Sequence, residues 1–283
     1  MKMNVDKLVT DYRTGSLGRR EFMKKLVLVT GGTAAAFSLL QASGAGDIAD
    51  HLMQDTDLVS EFITYPVEDG EMKGLLSHPK EKKKYPAVIV IHENRGLVPH
   101  IQDVNRRMAK EGFLALAPDG NSPLGGTPED QNQGIAMLRE IPGETHTKNF
   151  VAAVKYLQTH PLSNGKVGCT GFCWGGAMTN QVAVNAPELK AAAPYYGSVP
   201  SDDDIPKIKA SVMAHYAEND PRINAGIDGF KEAMKKAGIE NQVFIYPGTG
   251  HGFNNDTNPG RYHEEAAKLA WERTVNFFKD KLK

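Results

Sequence analysis

The stretch Gly171-Phe172-Cys173-Trp174-Gly175-Gly176 decides the fold of this chain. It follows the apolar residues 166–170 and opens the helix-like residues 177–183. A G-x-C-x-G-G run between a strand and a helix predicts a nucleophile elbow, a sharp turn that holds its central residue in a strained conformation. Its flanking glycines let neighbouring backbones approach closely. Because Cys173 lies at a helix N-terminus, we expect a lowered thiol pKa that favours the thiolate.

Two later segments supply the partners that such a nucleophile needs. Asp220 follows the strand-like residues 211–216, and His251 follows the strand-like residues 242–246. The chain order is therefore nucleophile, acid, histidine, which α/β-hydrolases use and other triad folds do not. Each partner lies just past a strand, where a parallel sheet gathers its catalytic groups. We predict a catalytic triad of Cys173, Asp220 and His251.

An upstream segment predicts the oxyanion hole. Residues 85–91 are continuously apolar, as a strand covered on both faces requires, and they end in His92-Glu93-Asn94-Arg95-Gly96. In this architecture the loop after that strand donates one backbone amide, and the residue after the nucleophile donates the other. The candidate donors are Asn94 and Trp174. His92 ends a buried strand, and we interpret it as a structural histidine rather than a second base.

The order of the predicted triad residues indicates an α/β-hydrolase fold, with a mostly parallel, twisted sheet and helices on both faces. The periodicity of the chain agrees with this, because helical patterns fall between the expected strands. Ile101, Val104 and Met108 share one helical face, and residues 266–278 predict a closing helix. Strands are expected near residues 61–67, 73–78, 87–92, 114–118, 167–171, 191–195, 211–216 and 242–246.

Taken together, these motifs resemble the dienelactone hydrolase family, the α/β-hydrolases with a cysteine nucleophile. The resemblance runs from about residue 61 to the C-terminus and also includes residues 112–119. It implies Cys173 as nucleophile, His251 as base, Asp220 as its orienter and Glu93 as a second carboxylate near the thiol. The sequence departs from the family pattern at residues 254–255. Asparagines stand there, in the region where dienelactone-cleaving members have an arginine that binds the substrate carboxylate. The resemblance therefore supports the fold and the reaction chemistry better than it supports the identity of the substrate.

The expected activity is hydrolysis of a small ester or lactone through a thioester, resembling carboxymethylenebutenolidase and needing no cofactor. The alternatives are a thiol-dependent peptidase or acyltransferase on the same fold, or a catalytically silent ligand-binding protein. Four side chains are candidates for substrate binding: Arg95, Arg222, Tyr195 and Phe253. The arginines could instead be surface charges, and the aromatics, like their neighbour Tyr196, could belong to the core.

For Glu93 two roles are open. As a gate, its carboxylate would accept a hydrogen bond from the neutral Cys173 thiol until substrate displaces it, so that the thiolate turns to His251. A gated thiol would resist stray oxidation. As a structural residue, Glu93 would cap or salt-bridge its loop, with Arg95 as the obvious partner.

The N-terminal residues predict export. Gly18-Arg19-Arg20-Glu21-Phe22-Met23-Lys24 resembles a twin-arginine motif, residues 26–40 form a mildly apolar h-region, and Ser43-Gly44-Ala45 offers a cleavage site. We therefore divide the chain into an export signal (1–45), a linker (46–60) and the hydrolase domain (61–283). The apolar stretch is too short for a stable membrane span. Periplasmic localisation is favoured, and a cytoplasmic protein that keeps an amphipathic N-terminal helix is the alternative.

Composition excludes several other classes of protein. The 283 residues carry a net charge of -1, which gives no electrostatic basis for binding nucleic acid. Nine histidines and two cysteines show no metal-ligand spacing, so no metal site is expected. The cysteines are too few for a disulfide framework, and Cys169 is predicted to be a small core residue.

Overall fold

The computed structural model describes residues 5–13, 17, 19–46, 48 and 57–283. Gly18 of the twin-arginine motif, and residues 47 and 49–56 of the predicted linker, lie outside the described residues. The strands are β1 (Leu58–Val67), β2 (Gly70–Pro79), β3 (Tyr85–Ile91), β4 (Leu114–Pro118), β5 (Ser163–Phe172), β6 (Ala191–Tyr195), β7 (Ser211–Asn219) and β8 (Asn241–Gly250). The α-helices are α1 (Val5–Arg13), α2 (Arg19–Thr30), α3 (Thr33–Ala42), α4 (Pro99–Lys110), α5 (Gln131–Glu140), α6 (Gly143–Thr159), α7 (Trp174–Asn185), α8 (Pro221–Asn224), α9 (Ile227–Lys236) and α10 (Glu264–Lys281).

The strands form one eight-stranded sheet in the order β1-β2-β4-β3-β5-β6-β7-β8. β1 pairs antiparallel with β2, and β2 with β4, whereas every pair from β4 to β8 is parallel. The mostly parallel sheet confirms the predicted fold class. The sheet begins at Leu58, inside the segment predicted as linker, because Leu58, Val59 and Ser60 pair with the end of β2.

Helices cover both faces of the sheet, and the residues of β3 show why. Ala87, Ile89 and Ile91 pack into one core cluster with side chains of α6, α7 and α9. Val88 and Val90 point to the other face and pack with side chains of α4 and α10. Side chains alternate between the faces of a strand, so a strand buried on both sides must be apolar throughout. This layering confirms the prediction of helices on both faces.

The N-terminal helices bury apolar side chains among themselves, including Leu8, Phe22, Leu26 and Leu40. Among the described residues, no single helix has the length and apolar composition to cross a membrane. The consecutive segments 21–30 and 35–42, bent by 94° at their junction, reach that length and composition only as a pair.

The parallel strands bring the predicted motifs to one edge of the sheet. β3, β5, β7 and β8 run in the same direction. Their carboxyl ends are followed, respectively, by the 92–96 loop, Cys173, Asp220 and His251. Loops at the carboxyl ends of parallel strands are where this class of sheet binds ligands.

Candidate active site

Cys173 occupies the turn between β5 and α7 with φ 57° and ψ -113°. A positive φ is costly for a residue with a side chain, and such strain persists only where the surroundings enforce it. The surroundings here are backbone hydrogen bonds: Cys173 N–H donates to the Tyr195 carbonyl at 3.1 Å, and the Cys173 carbonyl accepts from Gly176 at 3.0 Å and Ala177 at 3.1 Å. The turn thus has the geometry of a nucleophile elbow.

Glycines allow the elbow to fit between the ends of two strands. A Cβ at Gly175 would lie 2.4 Å from the His92 carbonyl oxygen, and a Cβ at Gly176 would lie 2.2 Å from the Tyr195 carbonyl oxygen. Both separations are far below van der Waals contact, so a side chain at either position would push α7 away from the sheet. The two glycines therefore fix the position of Cys173 relative to the loop after β3.

Asp220 and His251 form a hydrogen-bonded pair beside the elbow. Asp220 precedes α8, and its Oδ2 lies 2.5 Å from Nδ1 of His251. The Asp220 side chain is 8% exposed and that of His251 is 24% exposed, so the carboxylate is buried while the imidazole reaches the cavity. With Nδ1 held by the carboxylate, Nε2 is the nitrogen left to exchange protons with a nucleophile or water.

The thiol pKa differs from the sequence-based expectation. Burial raises the pKa of Cys173, and the negative charge of Glu93 raises it further. A hydrogen bond from the Trp174 backbone N–H and the charge of Arg222 lower it, but these effects are smaller. The expectation of a lowered pKa was wrong, because burial and a nearby carboxylate outweigh the backbone amide at the start of α7. A raised pKa favours the neutral thiol at Cys173.

Glu93 is held by a residue that the sequence did not indicate. Asn255 Nδ2 donates a hydrogen bond of 2.9 Å to Glu93 Oε2. Within the described residues Glu93 forms no ion pair with Arg95, and the Cys173 thiol forms no hydrogen bond with Glu93 or with His251. The expected resting hydrogen bond from thiol to carboxylate is therefore not formed, and Glu93 acts on the thiol through its charge.

Cys173, His251, Asn94 and Trp174 line one cavity of about 440 Å³. Its size falls within the range of small-molecule sites. Arg222 and His251 line this cavity and also a second one of about 530 Å³. No group of His, Cys, Asp or Glu side chains capable of holding a metal ion occurs in the described part of the chain. The remaining lining residues are Ile135, Leu138, Arg139, Ile141, Gly143, His146, Ala177, Tyr196, Ser198 and Ile223.

Comparison with known proteins agrees with this geometry. Residues 72–282 match the sequence profile of the dienelactone hydrolase family. The chain belongs to the dienelactone hydrolase family. It is accordingly a hydrolase, as the sequence analysis predicted.

Relatives of dienelactone hydrolase type are found among both sequences and structures. A protein of Escherichia coli K12 named "Putative carboxymethylenebutenolidase" is 30% identical over 256 residues, which span 84% of this chain and 94% of that protein. A protein of the same name from Yersinia pestis is 30% identical over 243 residues, 81% of this chain and 91% of its own length. The crystal structure of a "Putative Dienelactone Hydrolase" from Klebsiella pneumoniae has a TM-score of 0.71 at 27% identity, covering 78% of this chain and 98% of that one.

Within this dienelactone hydrolase fold, the four candidates for substrate binding divide by position. Arg222 lines the cavity, whereas Arg95 is exposed outside it. Tyr195 is fully buried with its hydroxyl hydrogen-bonded to Thr274, and Phe253 is fully buried in the same apolar cluster. The structure thus corrects the assignment of Arg95, Tyr195 and Phe253 to the substrate cavity.

Tyr196 is the aromatic residue of this group that faces the cavity. Its φ is 36°, which makes it, with Cys173, one of two residues other than glycine with positive φ in the described chain. Its ring meets the His251 ring edge-on, with centroids 5.1 Å apart. The sequence does not indicate which of the two adjacent tyrosines faces the cavity. Side chains alternate between the faces of a regular strand, but the positive φ of Tyr196 interrupts that alternation.

Proposed function

We propose that this protein hydrolyses small carboxylic esters or lactones through a thioester on Cys173. The observation that carries the proposal is that a strained cysteine shares a cavity with a histidine already oriented by a buried carboxylate. This constellation is the activated nucleophile, base and orienter that covalent acyl transfer requires. The resemblance to proteins named carboxymethylenebutenolidase supports the same reaction class.

In the first half-reaction the Cys173 proton passes to His251 Nε2 and the sulfur attacks the substrate carbonyl. The carbonyl electrons move to the oxygen, which the backbone amides of Asn94 and Trp174 stabilise. Collapse of this intermediate breaks the bond to the alkoxide oxygen, and His251 returns the proton to that oxygen. The products are a Cys173 thioester and an alcohol, or a tethered alcohol where the substrate is a lactone.

In the second half-reaction His251 takes a proton from water, and the resulting hydroxide attacks the thioester. The second oxyanion collapses and the bond to sulfur breaks, so that the carboxylic acid departs. His251 Nε2 returns its proton to the leaving sulfur, which restores the neutral thiol and the neutral base. Asp220 keeps the His251 proton on Nδ1 throughout and stabilises the imidazolium that forms in each half-reaction.

The proposed role of Glu93 is to keep the resting thiol neutral. Its charge raises the pKa of Cys173, and Asn255 holds the carboxylate in place. Substrate that displaces Glu93 from the thiol would remove this effect, while Arg222, whose charge lowers the pKa, remains in the cavity. The thiolate would then form only beside a substrate.

The cavity favours a small substrate with an apolar body. Ile135, Leu138, Ile141 and Ile223 supply apolar surface, and Arg222 supplies a cationic group near the nucleophile. Apolar walls with a few polar groups are typical of small-molecule sites. We propose Arg222 as a contact for a polar or anionic substituent of the substrate.

The decisive experiment compares the two cysteines of the chain. Wild type, Cys173→Ala and Cys169→Ala are assayed against a panel of small esters and lactones. Cys169 is a matched control because it is buried in β5 and burial raises its pKa to about 12, so it is inert. We expect Cys173→Ala to abolish turnover and Cys169→Ala to retain most of it.

Three outcomes would contradict the proposal. Turnover retained in Cys173→Ala would remove the thioester mechanism. In assays that contain an added amine or alcohol as well as water, transfer of the acyl group to the amine or alcohol would indicate an acyltransferase. Absence of any acyl-enzyme across the panel would favour a silent binding protein.

We also propose that the protein is exported to the periplasm through its twin-arginine motif. The support is in the sequence: Arg19 and Arg20 precede a mildly apolar region and a small-residue cleavage site. Export of the folded enzyme would place Cys173 in an oxidising compartment, where a neutral, gated thiol is an advantage.

A further inference from the structure

His92 is a buried histidine at the junction of β3 and the loop that carries Glu93 and Asn94. It follows Ile91, the last residue of β3, and its side chain has no solvent exposure. Burial lowers the pKa of His92 and so keeps the imidazole neutral. A neutral imidazole has one nitrogen that donates and one that accepts.

Both ring nitrogens of His92 are engaged, and the partners fix the tautomer. The Gly120 backbone N–H donates to Nε2 at 2.8 Å, so Nε2 carries no proton. The proton is therefore on Nδ1, which lies 2.6 Å from the Glu93 carbonyl oxygen and donates to it. The ring thus connects two separate loops, the one after β3 and the one after β4.

The bond to Glu93 has a consequence for Asn94, because the Glu93 carbonyl and the Asn94 N–H belong to one peptide group. That group is planar and trans, so its C=O and N–H point in opposite directions. With the carbonyl directed at the His92 ring, the Asn94 N–H points away from it, and Asn94 lines the catalytic cavity. Rotation of this peptide would instead present a carbonyl oxygen to a developing oxyanion.

The same ring also contacts the other proposed oxyanion donor. The His92 ring stacks on the Trp174 indole, with centroids 5.3 Å apart and planes inclined by 10°. Trp174 follows Cys173 directly, and a hydrogen bond from its backbone N–H lowers the pKa of the Cys173 thiol. His92 therefore contacts the residues on both sides of the proposed oxyanion hole.

The anchor of the ring is itself rigid. A Cβ at Gly120 would lie 2.9 Å from His92 Nε2, so only glycine allows the backbone to approach this closely. The preceding Asp119 is buried, and its carboxylate accepts hydrogen bonds from the backbone N–H groups of Asn121 and Thr127. The Gly120 N–H is thereby held in place for His92.

We propose that His92 is a positioning residue that sets the oxyanion hole by orienting the Glu93–Asn94 peptide. The inference rests on the proposed thioester mechanism. His92 touches neither substrate nor sulfur, and it acts through the peptide group that it binds. Loss of one oxyanion donor typically lowers kcat by about 10²–10³-fold.

The test separates oxyanion stabilisation from activation of the thiol. His92→Phe keeps an aromatic ring against Trp174 but cannot donate to Glu93, whereas His92→Gln retains a donor and an acceptor. We expect His92→Phe to lower kcat by about 10²-fold or more with little change in KM. Alkylation of Cys173 by iodoacetamide involves no oxyanion, so its rate should stay near that of wild type. His92→Gln should recover at least about a tenth of the wild-type kcat.

The control is His215→Phe, which removes another fully buried histidine from the same sheet. His215 bonds through both ring nitrogens, to Tyr246 and Thr274, and does not line the cavity. We expect a lowered Tm with kcat per folded molecule near wild type. Cys169 is buried in β5, so iodoacetamide modifies it only in unfolded molecules. The folded fraction is therefore the fraction of molecules in which Cys173 is alkylated and Cys169 is not.

The outcomes of these experiments decide whether His92 positions the oxyanion hole. A near wild-type kcat in folded His92→Phe, or a loss of kcat matched by a loss of alkylation, would overturn the inference. A His92→Phe protein whose Cys169 is also alkylated has lost its fold and would assign His92 to stability instead. If Cys173→Ala retains turnover, the proposed mechanism fails. If turnover depends on Cys173 but not on His92, only this inference fails.

Discussion

Replacing Asp220 by asparagine tests the hydrogen-bonded pair of Asp220 and His251. The Asp220 carboxylate lies 2.5 Å from Nδ1 of His251 and is almost fully buried, so it faces the imidazolium that forms in each half-reaction. Asparagine has nearly the same shape and removes the negative charge. We expect Asp220→Asn to lose turnover while keeping the fold.

The geometry gives the expected size of the loss. Two unit charges at the 2.5 Å separation of Oδ2 and Nδ1 attract by ~6–7 kcal/mol at an effective dielectric constant near 20, a value suited to a partly exposed imidazole. The asparagine retains a neutral hydrogen bond worth ~1 kcal/mol. The difference of ~5 kcal/mol corresponds to about 10³–10⁴-fold in rate, at ~1.4 kcal/mol per tenfold. An asparagine NH₂ that donates to Nδ1 would also move the ring proton to Nε2 and remove the base.

The assay is steady-state hydrolysis of p-nitrophenyl acetate, with Tm measured in parallel. We expect kcat to fall by about 10³-fold or more, with KM within a few-fold of wild type. Asp204→Asn is the control, since Asp204 pairs with Ser201 and Lys207 and lies outside both cavities. A loss below about tenfold in Asp220→Asn, or a loss that Asp204→Asn reproduces, would refute the triad assignment.

Three further predictions concern the thiol, its carboxylate neighbour and the leader. Because the pKa of Cys173 is raised, its alkylation by iodoacetamide should keep increasing with pH beyond the ordinary thiol range, and a plateau near neutral pH would contradict this. Glu93→Gln removes a charge that raises that pKa, so the alkylation profile should shift to lower pH while Tm changes little; an unshifted profile would return Glu93 to a structural role. Asn255→Ala should leave the charge in place and so shift the profile less. Changing Arg19 and Arg20 to lysine should retain the protein in the cytoplasm, and fractionation that finds wild type uncleaved in the cytoplasm would rule out export.

The inner strands of the sheet could be predicted because strands such as β3, β4 and β6 are apolar and buried on both faces. The bounds of β4 and β6 are those expected from sequence, since each is a short apolar run between clear breaks. β1 and β2 extend further than predicted, because their antiparallel pairing continues through polar residues from Val67 opposite Gly70 to Leu58 opposite Pro79. Backbone hydrogen bonding of an outer strand pair leaves little trace in hydrophobic periodicity.

Some features of the candidate site could be predicted from local sequence motifs, and others could not. Cys173, Asp220 and His251 could be predicted to lie at one edge of the sheet, because each follows a strand end in a recognisable turn. The hydrogen bond from Asn255 to Glu93 could not, because it joins residues 162 positions apart. The different positions of the Tyr195 and Tyr196 rings depend on the positive φ of Tyr196, which periodicity does not predict. The direction of the Cys173 pKa shift depends on burial and on a charge from another loop, neither of which a local motif contains.

The loop after β3 connects the two parts of the proposed chemistry. Its Glu93 side chain raises the pKa of the thiol, and its Glu93–Asn94 peptide directs an amide toward the cavity. The side chain is held by Asn255, and the peptide is held by His92 and by the Gly96 backbone N–H, which donates to the Glu93 carbonyl at 3.3 Å, so the two are anchored separately. Movement of the Glu93 carboxylate on substrate entry would therefore break a single amide hydrogen bond and leave the bond from His92 intact. We infer that the loop can release the thiol proton without disturbing the oxyanion hole, which a gate built into a catalytic loop requires.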